Sequence, residues 1–311
     1  MAGIGVRLNK IFGKNTLTTN MIGFFYSTLV TVAPMFAIII NLVLMEYFLK
    51  FSTLGYAQRE LFSCTILYTF IFSLLTASPF NAVLSRYMSD IIYEERYQDI
   101  LPCYHIGMVL NIALSCLIGI PFCLWEHFVG GVSVAYVFAG FWCYISLVLV
   151  FYSMIYLSIC KDYQRIAQYY GVGMLLAFFL SLFLRYVLHW GITQSMLAAM
   201  DAGFFLTAVL ENALIKRYFR KNSNRYKPVL AYFKKYWQLV VTNFLYILGL
   251  YVHNFVFWTT DMKMVVVDSF VCNQPYDMAS CLAMFTNISA TIIFISRVEM
   301  YFHEKYKLYS E

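Results

Sequence analysis

Lys216-Arg217-Tyr218-Phe219-Arg220-Lys221-Asn222-Ser223-Asn224-Arg225-Tyr226-Lys227-Pro228, running on to Lys234-Lys235, holds eight of the chain's 22 Lys and Arg residues. Long apolar runs flank it on both sides. In a membrane protein such a segment belongs on the cytoplasmic face, where loops carry the Lys/Arg excess. That placement orients every span before and after it. It divides the chain into a first unit (1–215), a basic cytoplasmic hinge loop (216–236) and a shorter last unit (237–311). A nucleic-acid-binding arm would show the same charge, because basic patches hold phosphates. No soluble domain surrounds this one to present it, so nucleic acid is not an expected partner.

Composition leads to the same class. Hydrophobic residues make up 61% of the chain and charged ones 12%, about half the roughly 25% of soluble domains. Eight apolar runs read as spanning helices: Met21–Leu44, Phe62–Leu84, Ile106–Leu124, Val132–Ser158, Tyr169–Val187, Ile192–Ile215, Trp237–Phe257 and Ala279–Ile295. At about 1.5 Å per residue the first is about 36 Å long, enough for a hydrocarbon core of about 30 Å. Barrel-type alternation is absent, which leaves helices as the spanning structure. The expected fold is therefore an all-α, polytopic membrane protein.

Threading follows from the charges. With the N-terminus inside, eighteen of the 22 Lys and Arg residues fall on inner segments. The outer side keeps Lys50, Arg59, Arg185 and Lys263. Both termini are then cytoplasmic, and the expected location is the cytoplasmic (inner) membrane in contact with the lipid bilayer. Arg7, Lys10 and Lys14 precede an apolar stretch longer than a signal core, with no small-residue cleavage site after it, so this start reads as a first span. The many Tyr and the five Trp are what interfacial belts require.

Polar residues inside the spans are the candidate functional groups, since an ionisable side chain there costs roughly 2.5–3.5 kcal/mol on insertion scales. In the sixth span Gln194, Asp201 and Asn212 fall within about 20° of one line at 100° per residue. Asp201 is the carboxylate in the middle of that stripe. The stripe fits a water-filled cavity or ion site, and equally a set of contacts between helices. In the seventh span Thr242, Tyr246, Gly249 and His253 form a second stripe, flanked by Asn243 and Asn254. His253 reads as neutral, either a hydrogen-bonded structural group or a proton carrier. Arg86 and Asp90, at i and i+4, can pair at the inner end of the second span. Pro34 and Pro79 lie inside the first two spans and supply kinks.

Catalytic patterns are missing from the sequence. It has no Walker A loop, no D-x-D, no H-E-x-x-H and no G-x-S-x-G. His105, His127, His189, His253 and His303 are scattered, and no metal or cofactor is implied. An intramembrane transferase would need an acid or His cluster at one membrane face, and none stands out. The sequon Asn287-Ile288-Ser289 lies within a span and reads as chance. Of the eight cysteines, Cys272 and Cys281 fall near one outer loop and can pair.

The opening Met1-Ala2-Gly3-Ile4-Gly5-Val6-Arg7-Leu8-Asn9-Lys10 resembles the start of the PelG-type Pel exopolysaccharide exporters. So do Leu75-Thr76-Ala77-Ser78-Pro79 through Ser85-Arg86-Tyr87-Met88-Ser89-Asp90, Tyr97 and Leu101-Pro102. Further likenesses are Gly249-Leu250-Tyr251-Val252 ahead of Phe257-Trp258, then Tyr276-Asp277, Ser296-Arg297-Val298-Glu299 and Tyr301-Phe302. They run in order along the chain and are specific together, weak singly.

The resemblance implies the multidrug, oligosaccharidyl-lipid and polysaccharide (MOP) exporter fold. That fold has two six-helix bundles around a cavity that opens alternately to each side. It also implies a polysaccharide substrate, a cytoplasmic glycosyltransferase and other membrane subunits of a Pel-type synthase complex as partners, and no chemistry on the substrate. Two departures are visible. The family's seventh-span motif carries an Asp-Lys pair where this chain has His253 and Asn254. Eight spans complete the first bundle and only begin a second, so the chain is expected to be a fragment cut after the eighth, the alternative being that another polypeptide completes the cavity. A non-transporting scaffold that docks a synthase on the basic hinge is the alternative in another class.

Overall fold

The computed structural model describes residues 17–159, 162–266 and 269–293, with side chains over 32–158, 162–266, 269–283 and 286. The opening motif with Arg7, Lys10 and Lys14, Cys160, and the motifs at 296–302 lie outside the described residues. Helices dominate: α1 Leu17–Phe48, α2 Tyr56–Tyr93, α3 Ile100–Phe128, α4 Val134–Ile159, α5 Tyr163–Tyr186, α6 Ile192–Tyr218, α7 Lys227–Lys235, α8 Trp237–Thr259 and α9 Gln274–Ile293. A short hairpin, β1 Met264–Val266 and β2 Phe270–Cys272, joins α8 to α9.

Among the described residues, α2 to α6 and α8 are long and apolar enough to cross a membrane. The chain is thus an all-α, multi-pass membrane protein. Helices α1 and α9 stand where the first and eighth spans are expected. Several helices outrun their apolar runs. α2, with 38 residues, carries Arg86 and Asp90 on its extension beyond the run ending at Leu84.

The stretch expected as a hinge loop is only partly a loop. Its first residues end α6 and its last form α7. Pro228 sits in the first turn of α7, where its missing N–H costs nothing. Between the two helices Asn224 takes a left-handed φ of 55°, and its N–H donates to Asn222 Oδ1 at 2.9 Å. Asparagine is among the residues that tolerate this conformation.

The six helices α1–α6 bury one continuous core, with α6 packed along both α4 and α5. Where α5 meets α6 the backbones touch: a Cβ on Gly173 would lie 2.5 Å from the Gly203 carbonyl oxygen, and one on Gly203 2.7 Å from that of Gly173. Small residues permit this approach, which drives helix association where no hydrophobic effect operates. Helix α8 packs mainly on α2. Pro79 leaves the Leu75 carbonyl without its usual N–H; the Ser78 hydroxyl donates to it at 3.2 Å. Asn243 of α8 donates to the Ser78 carbonyl, holding α8 beside Pro79. Pro34 lies in the interior of α1, and Pro121 in the interior of α3 is a further kink site that the sequence reading passed over.

Candidate functional site

The α6 stripe turns into the bundle. Asp201 accepts a hydrogen bond from Ser146 of α4 at 2.8 Å. Asn212 turns its amide to the Met108 sulfur of α3 at 3.9 Å, a weak contact by length and acceptor. Gln194 is half-buried at the start of the helix. Asp201 and Asn212 thus meet neighbouring helices, and no stripe residue lines either of the two cavities described below.

Beside Asn212 stands a group that the stripe reading missed. Glu211 has 0% of its surface exposed, and both carboxylate oxygens lack a hydrogen-bond partner. Tyr104 of α3 and Tyr170 of α5 are near enough to interact with it, and among the described residues no ion pair holds it. Around them the hydroxyls are otherwise engaged: Tyr104 with Ser153 at 2.9 Å, and Tyr152 with the Tyr104 carbonyl at 2.8 Å. A carboxylate buried without a partner costs several kcal/mol as the anion. Glu211 is thus an acid that nothing in this packing satisfies. A single feature of the sequence points to it: a second acid in an apolar run that contains no Lys or Arg.

On α8, Asn254 is buried and donates to Asp277 Oδ1 at 2.7 Å. Trp258 Nε1 donates to Asp277 Oδ2 at 3.1 Å, and the Asn273 N–H to the same oxygen at 2.9 Å. Asp277 lies in the first turn of α9, where the helix dipole favours a negative charge. Three donors and a dipole hold this buried carboxylate. His253, next to Asn254, sets its ring edge-on to Tyr276 at 5.6 Å, and its Nδ1 is buried without a partner. Tyr246 is 65% exposed and is not gathered with them.

At the other end of α2, Arg86 and Asp90 do not pair with each other: among the described residues no ion pair joins them. Each engages the hinge instead. Arg86 lies over the Tyr236 ring, 4.5 Å from its centroid. Asp90 accepts from the Tyr232 hydroxyl at 2.9 Å. Spacing of i and i+4 permits an ion pair worth only a few tenths of a kcal/mol on an exposed helix, so aromatic partners on a docked helix displace it. Tyr87 packs edge-on against Tyr232, Phe80 against Phe233, and Val229 is fully buried. Burial, and then its bond to Asp90, raise the Tyr232 phenol above the ordinary tyrosine value. The loop before α7 is tied as well: Ser223 donates through its hydroxyl to Asp99, and through its N–H to the Gln98 carbonyl at 3.0 Å.

The two cavities lie near the other end of α2. One of about 120 Å³ lies among α2, α3 and α4 and is lined by Tyr68, Phe122, Glu126, Tyr136 and Phe270. Its single acid, Glu126, accepts from Ser269 of the hairpin turn. The second, of about 620 Å³, is bordered by Glu46, Arg59, Glu60 and Gln274. Among the described residues no three His, Cys, Asp or Glu side chains converge as a metal site.

Cys272 does not meet Cys281. Both are free thiols, one buried on β2 and the other exposed on α9. The neighbour of Cys272 is Cys64 of α2.

A family model described as "PelG: Putative exopolysaccharide Exporter (EPS-E)" matches residues 1–311. Comparison with curated proteins gives no match, and neither does comparison with solved structures.

Proposed function

Because the chain belongs to the PelG family of exopolysaccharide exporters, we propose that it moves a Pel-like polysaccharide across the cytoplasmic membrane by alternating access. Family membership carries the coarse statement, a membrane transporter with a polysaccharide substrate. The finer reading is supported by one observation above the others. Within the α1–α6 core, α6 carries two acids, the half-buried Asp201 held by a single serine and the fully buried Glu211 with neither oxygen bonded. Groups left so poorly satisfied in a span are kept where an ion or proton path needs them.

In this reading α1–α6 form the first bundle of a MOP-type exporter, 216–236 is the cytoplasmic hinge, and α8 and α9 open a second bundle. Gln194, Asp201, Asn212, Tyr246, His253 and Asn254 belong to the cavity and coupling path, with Glu211 added to them. Arg86 and Asp90 form the inner gate, working through Tyr236 and Tyr232 of the docked hinge. Pro34 and Pro79 supply the bends. Both termini and the hinge face the cytoplasm, where the exposed Lys and Arg residues meet the glycosyltransferase and other membrane subunits of the synthase complex.

The test is polymer export in cells carrying Asp201→Asn or Glu211→Gln. Export is expected to fall while membrane insertion is unchanged, and full export by both variants overturns the assignment of these acids. Tags near residues 223 and 270 check the threading: reachability from the same side of the bilayer overturns it. The scaffold reading is favoured by the exposed charge of the hinge alone. It predicts that replacing Lys221 and Arg225 by Glu abolishes synthase recruitment, while Glu211→Gln leaves export intact.

A further inference from the structure

One face of α2 reaches the segment that follows α8 at three successive helical turns. Glu60 accepts a hydrogen bond from Gln274 Nε2 at 3.0 Å. Two turns on, Tyr68 donates its hydroxyl to the Val271 carbonyl. Cys64 stands between them on the same face, since residues four apart on a helix lie one above the other. Across the seam the residue between Val271 and Gln274 that turns to α2 is Cys272. Its backbone is fixed by strand pairing with Met264.

Both thiols are only 2% exposed and share one apolar cluster with Tyr68, Trp258 and Phe270. Cys64 and Cys272 thus face each other across the seam within that cluster. More than two hundred positions of chain separate the two cysteines, and the flanking bonds hold them in register.

We propose that Cys64 and Cys272 are a disulfide-forming pair that clasps the β1–β2 hairpin to α2. The geometry stands by itself; the oxidant rests on the threading given under the proposed function, which puts this end outside the cytoplasm. Thiols on that side of a bacterial inner membrane meet an oxidising compartment. The co-reactant is the disulfide form of a dithiol–disulfide oxidoreductase. The Cys272 thiolate attacks one sulfur of that disulfide, forming a mixed disulfide and releasing the first oxidant thiolate. The Cys64 thiolate then attacks the Cys272 sulfur and expels the second. Two thiols lose two electrons and two protons; the oxidant takes up both and leaves as a dithiol.

Cys272 suits the first role. It lies on the hairpin, outside the spans, whereas Cys64 sits within α2, and the thiolate is the nucleophile. Burial restricts the exchange to moments when the hairpin lifts or has not yet docked. Once formed, the bond ties the six-helix core to the segment beyond the basic hinge and covers the cavity that Tyr68 and Phe270 line.

The experiment uses the full chain in membranes from the cells that make it. Free thiols are blocked with N-ethylmaleimide in denaturant, the sample is reduced, and newly released thiols take a polyethylene-glycol maleimide. Wild type and Cys281→Ser are expected to gain two tags; Cys64→Ser and Cys272→Ser none. Non-reducing peptide mapping of the wild type needs no variant and is expected to find the Cys64–Cys272 cross-link. Absence of that cross-link, its replacement by a Cys272–Cys281 link, its appearance only after added diamide, or two tags persisting in Cys272→Ser would each overturn the proposal. Thiol tagging does not read polymer export, so its failure and a failure of the transport reading remain distinct.

Discussion

Asp277 and Glu211 are both buried carboxylates, and their surroundings treat them in opposite ways. Asp277 sits at the start of α9 with donors from Asn254, Trp258 and the Asn273 backbone. Glu211 sits in α6 with neither oxygen bonded. A carboxylate with several donors is satisfied as the anion and fixes the elements that donate to it. One without donors does not hold its helix in place. In the reading proposed above, the difference separates a joint at Asp277 from a group on α6 that can exchange its proton or accept a passing ion.

The largest expected effect breaks the joint. Asp277→Ala removes the acceptor of three donors at once, leaving those of Trp258 and Asn273 without a partner and Asn254 with a long contact to Ser280; with buried donors costing about 1–3 kcal/mol each the α8–α9 contact should fail. Thermal unfolding of the solubilised protein measures this, and an unchanged melting temperature refutes the contrast. Next comes Glu211→Gln, expected to leave melting unchanged and to cut polymer export at least about ten-fold, in keeping with a functional intramembrane acid. Strong destabilisation without a separate loss of export would make Glu211 structural after all. Asp201→Asn should fall between the two, because the Ser146 bond is lost or weakened at a cost of about 1 kcal/mol, read as a modest fall in both melting and export.

The smallest effects belong to the hinge. Tyr232→Phe removes the bond to Asp90, worth about 0.5–1 kcal/mol at a partly exposed site, and should speed trypsin cleavage at Lys234 and Lys235. The same bond carries a pH dependence. The Tyr232 phenol is raised in the folded chain, so its contribution is complete below the ordinary tyrosine value and is lost as pH rises through the raised one. Trypsin sensitivity at α7 should therefore increase only in that alkaline window.

Spans were legible because apolar length is a local property: among the described residues helices stand at all eight runs, and six of them are long and apolar enough to cross lipid. The cytoplasmic assignment of the hinge rests on the same local charge count. Its inner structure was harder to read. Val229, Tyr232 and Phe233 repeat at helical spacing, but among Lys227, Lys234 and Lys235 the pattern is submerged in charge. Arg86 and Asp90 were paired by spacing, and the structure gives both to tyrosines more than 140 positions away, which no local rule reaches. Glu211 escaped because the search followed a line through Gln194, Asp201 and Asn212, and Glu211 is 100° off that line. For Cys272 the nearest cysteine in the sequence was Cys281, while the nearest in space came from another helix.

The touching glycines between α5 and α6 have a mechanical consequence. With the Gly173 and Gly203 carbonyls pressed where a methyl group would clash, sliding one rod along the other would drive backbone into backbone. The two are effectively welded at that height. Any rocking of the bundle must therefore carry them as a single beam and be absorbed at looser seams, such as the one where α8 leans on α2 around the Pro79 bend.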